Sequence, residues 1–179
     1  NCLGNAIPPK ARVVTIDPDQ ARPEEVKEAL GQASLLYVPG GNTYVLSQRL
    51  HRKGLVDAIK ERIQEGLPLV AFSAGTVFCG QNILTANSLN ACGCTQFAGL
   101  GLVPYNFNVH YPSQDGEARR VRDSGLAEYH AFHPHPVLAL EEDAHLRVTD
   151  KGVELVKGGA WLFQRGQKKV RLQAGKIDQ

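Results

Sequence analysis

Ser73 stands in Ala71-Phe72-Ser73-Ala74-Gly75, a hydroxyl with small residues two before and two after it. Small flanks are what a nucleophile elbow requires, because so tight a turn has no room for large neighbours and leaves Oγ exposed at the end of a strand. In that geometry the N–H of Ala74 points to the same place and can donate to a developing oxyanion. A serine capping a helix fits the same five residues, so the pattern gains meaning only with a base at hand. His110 closes the alternating run YNFNVH, just past a strand, where an imidazole can reach such a nucleophile. The other histidines are less well placed: His51 lies in a helical segment, His145 directly before an antiparallel strand, and His130, His133 and His135 in the connection AEYHAFHPHP. That connection lacks a carboxylate or cysteine at ligand spacing, so no metal site is expected there.

An imidazole base needs an acid to orient it. Glu142 follows directly on VLALE at a strand's carboxyl end, with Asp143 as the near alternative and a plain solvated loop carboxylate as the competing use. Upstream, PGGNT supplies Gly40, Gly41 and Asn42 after the strand expected beside the one bearing Ser73. Two glycines let the backbone approach a ligand, so the amide of Gly40 or Gly41 can be a second oxyanion donor beside Ala74. Asn42 or Thr43 can cap the following helix at the same time.

These residues need strands and helices to hold them. RVVTI (12–16) reads as a strand, PEEVKEALGQA (23–33) as a helix with Pro at its start, and SLLYV (34–38) as a buried strand. Tyr44, Leu46 and Leu50 begin a second helical pattern, GLVDAIKERIQEG a third, and LPLVAF (67–72) is again a buried strand. Such alternation implies a parallel sheet flanked by helices. Beyond residue 100 the chain turns β-rich: LVPYNFNV alternates, VLAL is short and buried, and LRVTD, VELVKGG and AWLFQRGQKKVRL read as antiparallel hairpin strands. No repeat or linker divides residues 1–179, and a single α/β domain is expected.

Composition narrows the function classes. With 179 residues, 42% of them hydrophobic, the chain can bury one core. Its net charge of +2 is spread along the chain and forms no basic face, so nucleic acid is not an expected partner. No run approaches the roughly 20 apolar residues that cross a bilayer, and the N-terminus has no signal-peptide order, so a cytoplasmic protein with no membrane partner is expected. Cys2, Cys79, Cys92 and Cys94 are too few for a disulfide scaffold and lack zinc spacing, so reduced thiols are expected. The sequence contains no methionine, which suggests an incomplete chain.

Taken together, VPGGNTYVLSQRL, FSAG, NVHY, GEARRVR and LEED resemble the peptidase E family of aspartyl dipeptidases, and more distantly the cyanophycinases. The resemblance runs from about residue 12 to about residue 173. It implies a class-I-amidotransferase-like, flavodoxin-like sandwich and a Ser-His-Glu triad of Ser73, His110 and Glu142, with Gly41 and Ala74 as the oxyanion hole. Arg119 would pair with a substrate aspartate, with Asn42 and Asn87 beside it; a guanidinium holds a carboxylate through two charge-assisted hydrogen bonds. A solvent-facing residue of a charged helix is the competing use of Arg119. The implied activity is hydrolysis of Asp-Xaa dipeptides through an acyl-enzyme, with no cofactor or metal, a small peptide as partner, and a homodimer admitted. A broader or cyanophycinase-like peptidase and a non-catalytic binding protein on the same fold are the alternatives. The chain departs from the family at Glu141-Glu142-Asp143, where Pro-Glu-Gly is usual, and at Ala86-Asn87-Ser88, where Thr-Asn-Asp is usual. The family's opening strand and helix have no counterpart here, again as expected of an incomplete chain.

Overall fold

The computed structural model describes residues 12–177. Pro23 opens α1 (Pro23–Gln32), its fixed φ suited to a first helical position and its missing N–H not needed there. Val26 and Leu30, one turn apart, are its buried side. β1 (Leu36–Val38) leads through Gly40-Gly41 into α2 (Thr43–Arg52), and α3 (Val56–Gln64) follows. Gly66, at φ 101°, lets the chain turn back into β2 (Leu69–Ala71), which pairs in parallel with β1, Leu36 opposite Leu69 and Val38 opposite Ala71. Five residues of helix, α4 (Ala74–Phe78), carry on from β2.

β3 (Asn106–Asn108) is followed by the sixteen-residue α5 (Glu117–Phe132) and by β4 (Val137–Leu140), a right-length crossover for the parallel β3–β4 pairing. β4 has apolar partners on both faces. Leu138 and Leu140 enter the main core with Leu50, Phe78, Ile83 and Leu155, while Val137 and Ala139 join Tyr111, Leu126, Tyr129 and Phe163. β5 (His145–Thr149) and β6 (Gly152–Lys157) form a hairpin that β9 (Gly175–Lys176) extends; β7 (Ala160–Phe163) returns antiparallel to β4 and carries β8 (Val170–Arg171) at its edge.

The class is α/β with antiparallel strands at the C-terminal end. Three details differ from the sequence reading. RVVTI forms no strand, and Val13 and Val14 stand 61% and 57% exposed: β-branched residues favour a strand only where a ladder receives them, and none lies beside them among the described residues. Among the described residues the parallel strands form two pairs instead of one sheet, and the flank of β3 away from β4 is taken by residues 81–87. There Gln81 N–H donates to Tyr105 O (3.3 Å), Asn82 N–H to Asn106 Oδ1 (2.8 Å), Thr85 Oγ1 to Phe107 O (2.8 Å) and Asn108 Nδ2 to Thr85 O (2.9 Å). Finally, the connection that carries His130, His133 and His135 is in part helix: α5 runs to Phe132, and His130 sits in its last turn.

Cys79, Cys92 and Cys94 are free thiols, while Cys2 lies outside the described residues. Burial pushes the Cys79 thiol up to about 12, since a thiolate there would lose its hydration. At pH 8 it is therefore a neutral thiol, and only the thiolate attacks disulfide reagents. Cys79 should react with Ellman's reagent at the rate of unfolding, read by mass spectrometry of the labelled peptides; fast labelling in the native protein would contradict this burial.

Candidate active site

Four strands deliver their functional residues in one way. Gly40, Ser73, His110 and Glu142 each lie two residues beyond the carboxyl end of β1, β2, β3 and β4 respectively. Carboxyl ends of parallel strands are where the chain turns away from the sheet and leaves side chains unclaimed by the core.

Among the described residues, Ser73 (φ 51°) and His110 (φ 56°) are the two non-glycine positions with positive φ. Such backbone is costly for an L residue and persists only where packing imposes it. For Ser73 the constraint is visible. A Cβ on Gly75 would press into the carbonyl oxygen of Val38, and one on Gly40 would lie 3.2 Å from Ser73 Cβ, so the turn leaves no room for a side chain at Gly75 and little at Gly40. For His110 the next residue is pinned, Tyr111 N–H donating to Leu140 O at 2.8 Å.

The two strained residues meet. Ser73 Oγ lies 2.8 Å from His110 Nε2, and His110 Nδ1 lies 2.5 Å from Glu142 Oε2. Ionised Glu142 can only accept, so Nδ1 carries the ring proton and Nε2 presents a lone pair to the serine hydroxyl. Ala74, first in α4, has an N–H with no intrahelical partner, and Gly41, in the turn after β1, adopts φ 143°, a backbone that favours glycine, with no atom beyond its chain neighbours within 4 Å of where a Cβ would stand.

Three consecutive carboxylates after β4 have three different uses. Glu142, its side chain 75% exposed, turns to His110. Asp143 Oδ1 accepts from Gly159 N–H at 3.1 Å and so braces the start of β7. Glu141, 7% exposed, points inward: its Oε1 accepts from Trp161 Nε1 at 3.0 Å and lies 3.8 Å from Arg119 Nη2. Neither Asp143 nor Glu141 reaches the imidazole through these bonds.

The three residues expected beside the substrate have protein partners. Asn42 is the N-cap of α2: its Oδ1 accepts from Tyr44 and Val45 N–H, while its Nδ2 donates to Leu89 O at 2.9 Å. Asn87 accepts from Asn108 Nδ2 at 2.7 Å and donates to Val109 O at 2.6 Å, bracing the residue before His110. Arg119 is buried, not solvent-facing. Its Nε donates to Pro112 O (2.9 Å), its Nη1 to Asp115 Oδ1 (2.5 Å) and its Nη2 to Ser113 O. His133 stacks on Tyr129 at 4.7 Å, and among the described residues no three His, Cys, Asp or Glu side chains are grouped to hold a metal ion. No helix there is long and apolar enough to cross a membrane.

Sequence reasoning missed Glu141, Trp161 and a neighbouring group in which Tyr111 OH donates to Asp123 (2.5 Å) and Lys169 Nζ reaches both Asp123 (2.6 Å) and Tyr111 OH (2.9 Å). Burial, then the bond to Asp123, raise the Tyr111 phenol above its ordinary range and keep it a donor. A signal for Arg119 was present: it falls seven residues before Leu126 and ten before Tyr129, on the helical face that those two bury.

The arrangement supplies a hydroxyl, a neutral imidazole aligned to take its proton, and a carboxylate to hold the resulting cation. The model of peptidase family S51 matches residues 9–156. A Drosophila melanogaster protein named "Probable alpha-aspartyl dipeptidase" is 38% identical over 143 residues, 77% of this chain and 60% of the relative. Peptidase E of Shewanella denitrificans is 34% identical over 160 residues, 85% of this chain and 66% of the relative. The chain thus spans about 60–66% of the length of these curated relatives. Among solved structures, a peptidase from an acI-B1 Actinobacterium superposes with a TM-score of 0.61 at 18% identity, over 86% of this chain and 62% of that one, a likeness of fold.

Proposed function

The chain belongs to peptidase family S51, and on that premise we propose that it is a serine dipeptidase acting on dipeptides with N-terminal aspartate. The observation that carries this reading is the continuous relay from Ser73 Oγ through His110 to Glu142, at 2.8 and 2.5 Å. Ser73 Oγ attacks the scissile carbonyl carbon as its proton passes to His110 Nε2, and Glu142 stabilises the imidazolium. The carbonyl oxygen, now anionic, lies toward the N–H groups of Ala74 and Gly41. Collapse of the tetrahedral centre breaks the C–N bond, the leaving amine takes the proton from His110, and an ester to Ser73 remains. Water then attacks the ester carbon, giving up its proton to His110; the bond to Ser73 Oγ breaks, Oγ takes that proton back, and the aspartyl acid leaves. The aspartyl preference is supported by the name of the Drosophila relative.

A fluorophosphonate probe is expected to modify the wild-type protein at Ser73 and to leave His110→Ala unmodified, with intact-mass spectrometry as the readout. Wild-type protein that resists the probe would favour a binding protein on this fold. A panel of Asp-Leu, Asn-Leu and Ala-Leu then tests the aspartyl preference separately.

A further inference from the structure

We propose, resting on the triad reading above, that Asn87 is a positioning residue: its side-chain amide clamps the peptide before His110 and so imposes the strained backbone that aims the imidazole at Ser73. His110 stands at φ 56°, a conformation that an L residue leaves unless its surroundings hold it there. Its φ and ψ are set by the two peptide planes on either side of its Cα, and each plane is rigid, so a bond to one atom of a plane goes far to fix its direction. Both planes carry such a bond. The plane after His110 contains Tyr111 N–H, which donates to Leu140 O of β4 at 2.8 Å. The plane before it contains the carbonyl of Val109, one residue past the end of β3, and Asn87 Nδ2 donates to that oxygen at 2.6 Å. With the two planes held, Nε2 of the imidazole lies 2.8 Å from Ser73 Oγ.

Asn87 is exposed, yet it is anchored on both sides. Its Oδ1 accepts from Asn108 Nδ2 at 2.7 Å, and Asn108, 4% exposed, also donates from Nδ2 to Thr85 O at 2.9 Å. That contact turns the amide of Asn87 with its oxygen to Asn108 and its N–H to Val109. The two residues after it are tied to another turn of the site. Ser88 Oγ accepts from Thr43 N–H at 3.4 Å, and Leu89 O accepts from Asn42 Nδ2 at 2.9 Å. Three consecutive residues thus connect the turn of the base with the turn after β1 that carries Gly41. Without the amide of Asn87 only the plane after His110 keeps its bond, and the residue can pass to ordinary negative φ. Such a rotation beside the Cα swings the whole ring away from Ser73.

The test compares wild type, Asn87→Ala and Asn87→Asp for Asp-Leu turnover, for the rate of Ser73 labelling by a fluorophosphonate, and for the NMR carbon shifts of His110 Cα and Cβ, which report its backbone angles. In Asn87→Ala, kcat and the labelling rate should fall together by roughly 10- to 100-fold, with KM within about twofold, as when a strained residue relaxes and a reacting group is misplaced. The His110 shifts should move from left-handed values toward those of extended backbone. Asn87→Asp should be no faster than Asn87→Ala, because its carboxylate keeps the acceptor for Asn108 and offers no N–H to Val109. His110 shifts that stay in place would overturn the proposal, as would a labelling rate equal to that of wild type; a raised KM with labelling unchanged would make Asn87 a substrate contact instead. Should Asn87→Ala fail to fold, Asn87→Asp decides by the same measurements. Should the wild type neither turn over dipeptides nor take the probe, the dipeptidase reading fails, and the clamp is judged by the shifts alone: their movement in Asn87→Ala upholds it, and their constancy refutes it.

Discussion

Replacing Ser73 with alanine is expected to lower kcat for Asp-Leu by about 10⁶-fold, the order seen when a serine nucleophile is taken from a working triad. Thermal stability should be nearly unchanged. Alanine keeps the Cβ that already fits 3.2 Å from the Cβ position of Gly40, and Oγ forms its bond only with partly exposed His110. Glycine at the same place should melt higher. It adopts the φ of 51° without the penalty of about 1–3 kcal/mol that strained backbone carries, against an entropic cost of about 0.5–1 kcal/mol. Single-turnover rates and thermal melts on the three proteins check both halves. Alanine protein that melts like wild type and turns over at the wild-type rate would remove Ser73 from the chemistry.

Glu142→Gln should lower kcat by about 10³-fold, with Asp143→Asn within about threefold of wild type. A glutamine presents either an amide oxygen or an amide N–H to His110 Nδ1, and in the second case the ring holds its proton on Nε2, the wrong nitrogen to receive one from Ser73. The loss should stop short of the roughly 10⁴-fold of a buried triad acid, because the Glu142 side chain is 75% exposed and water can partly stand in for it. Asp143 instead braces Gly159, so its amide variant should cost stability more than rate. Steady-state kinetics with Asp-Leu ranks the two; the opposite order would move the orienting acid by one residue.

The sequence was most informative where a residue's neighbours alone dictate its geometry. Small residues around Ser73 and the paired glycines before Asn42 announce a tight turn at a strand end, and both turns are found where β2 and β1 stop. Apolar runs placed β1, β2 and β4 within a residue or two, since a strand buried on both faces has few other uses. Long-range pairing was less legible. Nothing local in RVVTI reveals whether a ladder will accept it, and nothing in YNFNV reveals that asparagine side chains will replace a neighbouring strand. The choice among Glu141, Glu142 and Asp143 depends on partners supplied by β3 and β7, far off in sequence. Arg119 was assigned by type, as a cation suited to an anion, and its place on the buried face of α5 was legible only in its spacing from Leu126 and Tyr129.

The clasp between residues 81–87 and β3 also bears on how the reacting pair is brought together during folding. Ser73 and His110 are 37 residues apart, and closing such a loop in a free chain carries an entropic cost that grows with its length. The bonds from Asn82 to Asn106 and from Thr85 to Phe107 close shorter loops of 24 and 22 residues within it. With these made, the 37-residue loop is reduced to the stretches from Ser73 to Asn82 and from Asn106 to His110, whose strained turns are then fixed by β1 and β4. The hydroxyl and the imidazole are therefore expected to meet by zipping inward from a local closure, before the hairpins of the C-terminal end have any need to form.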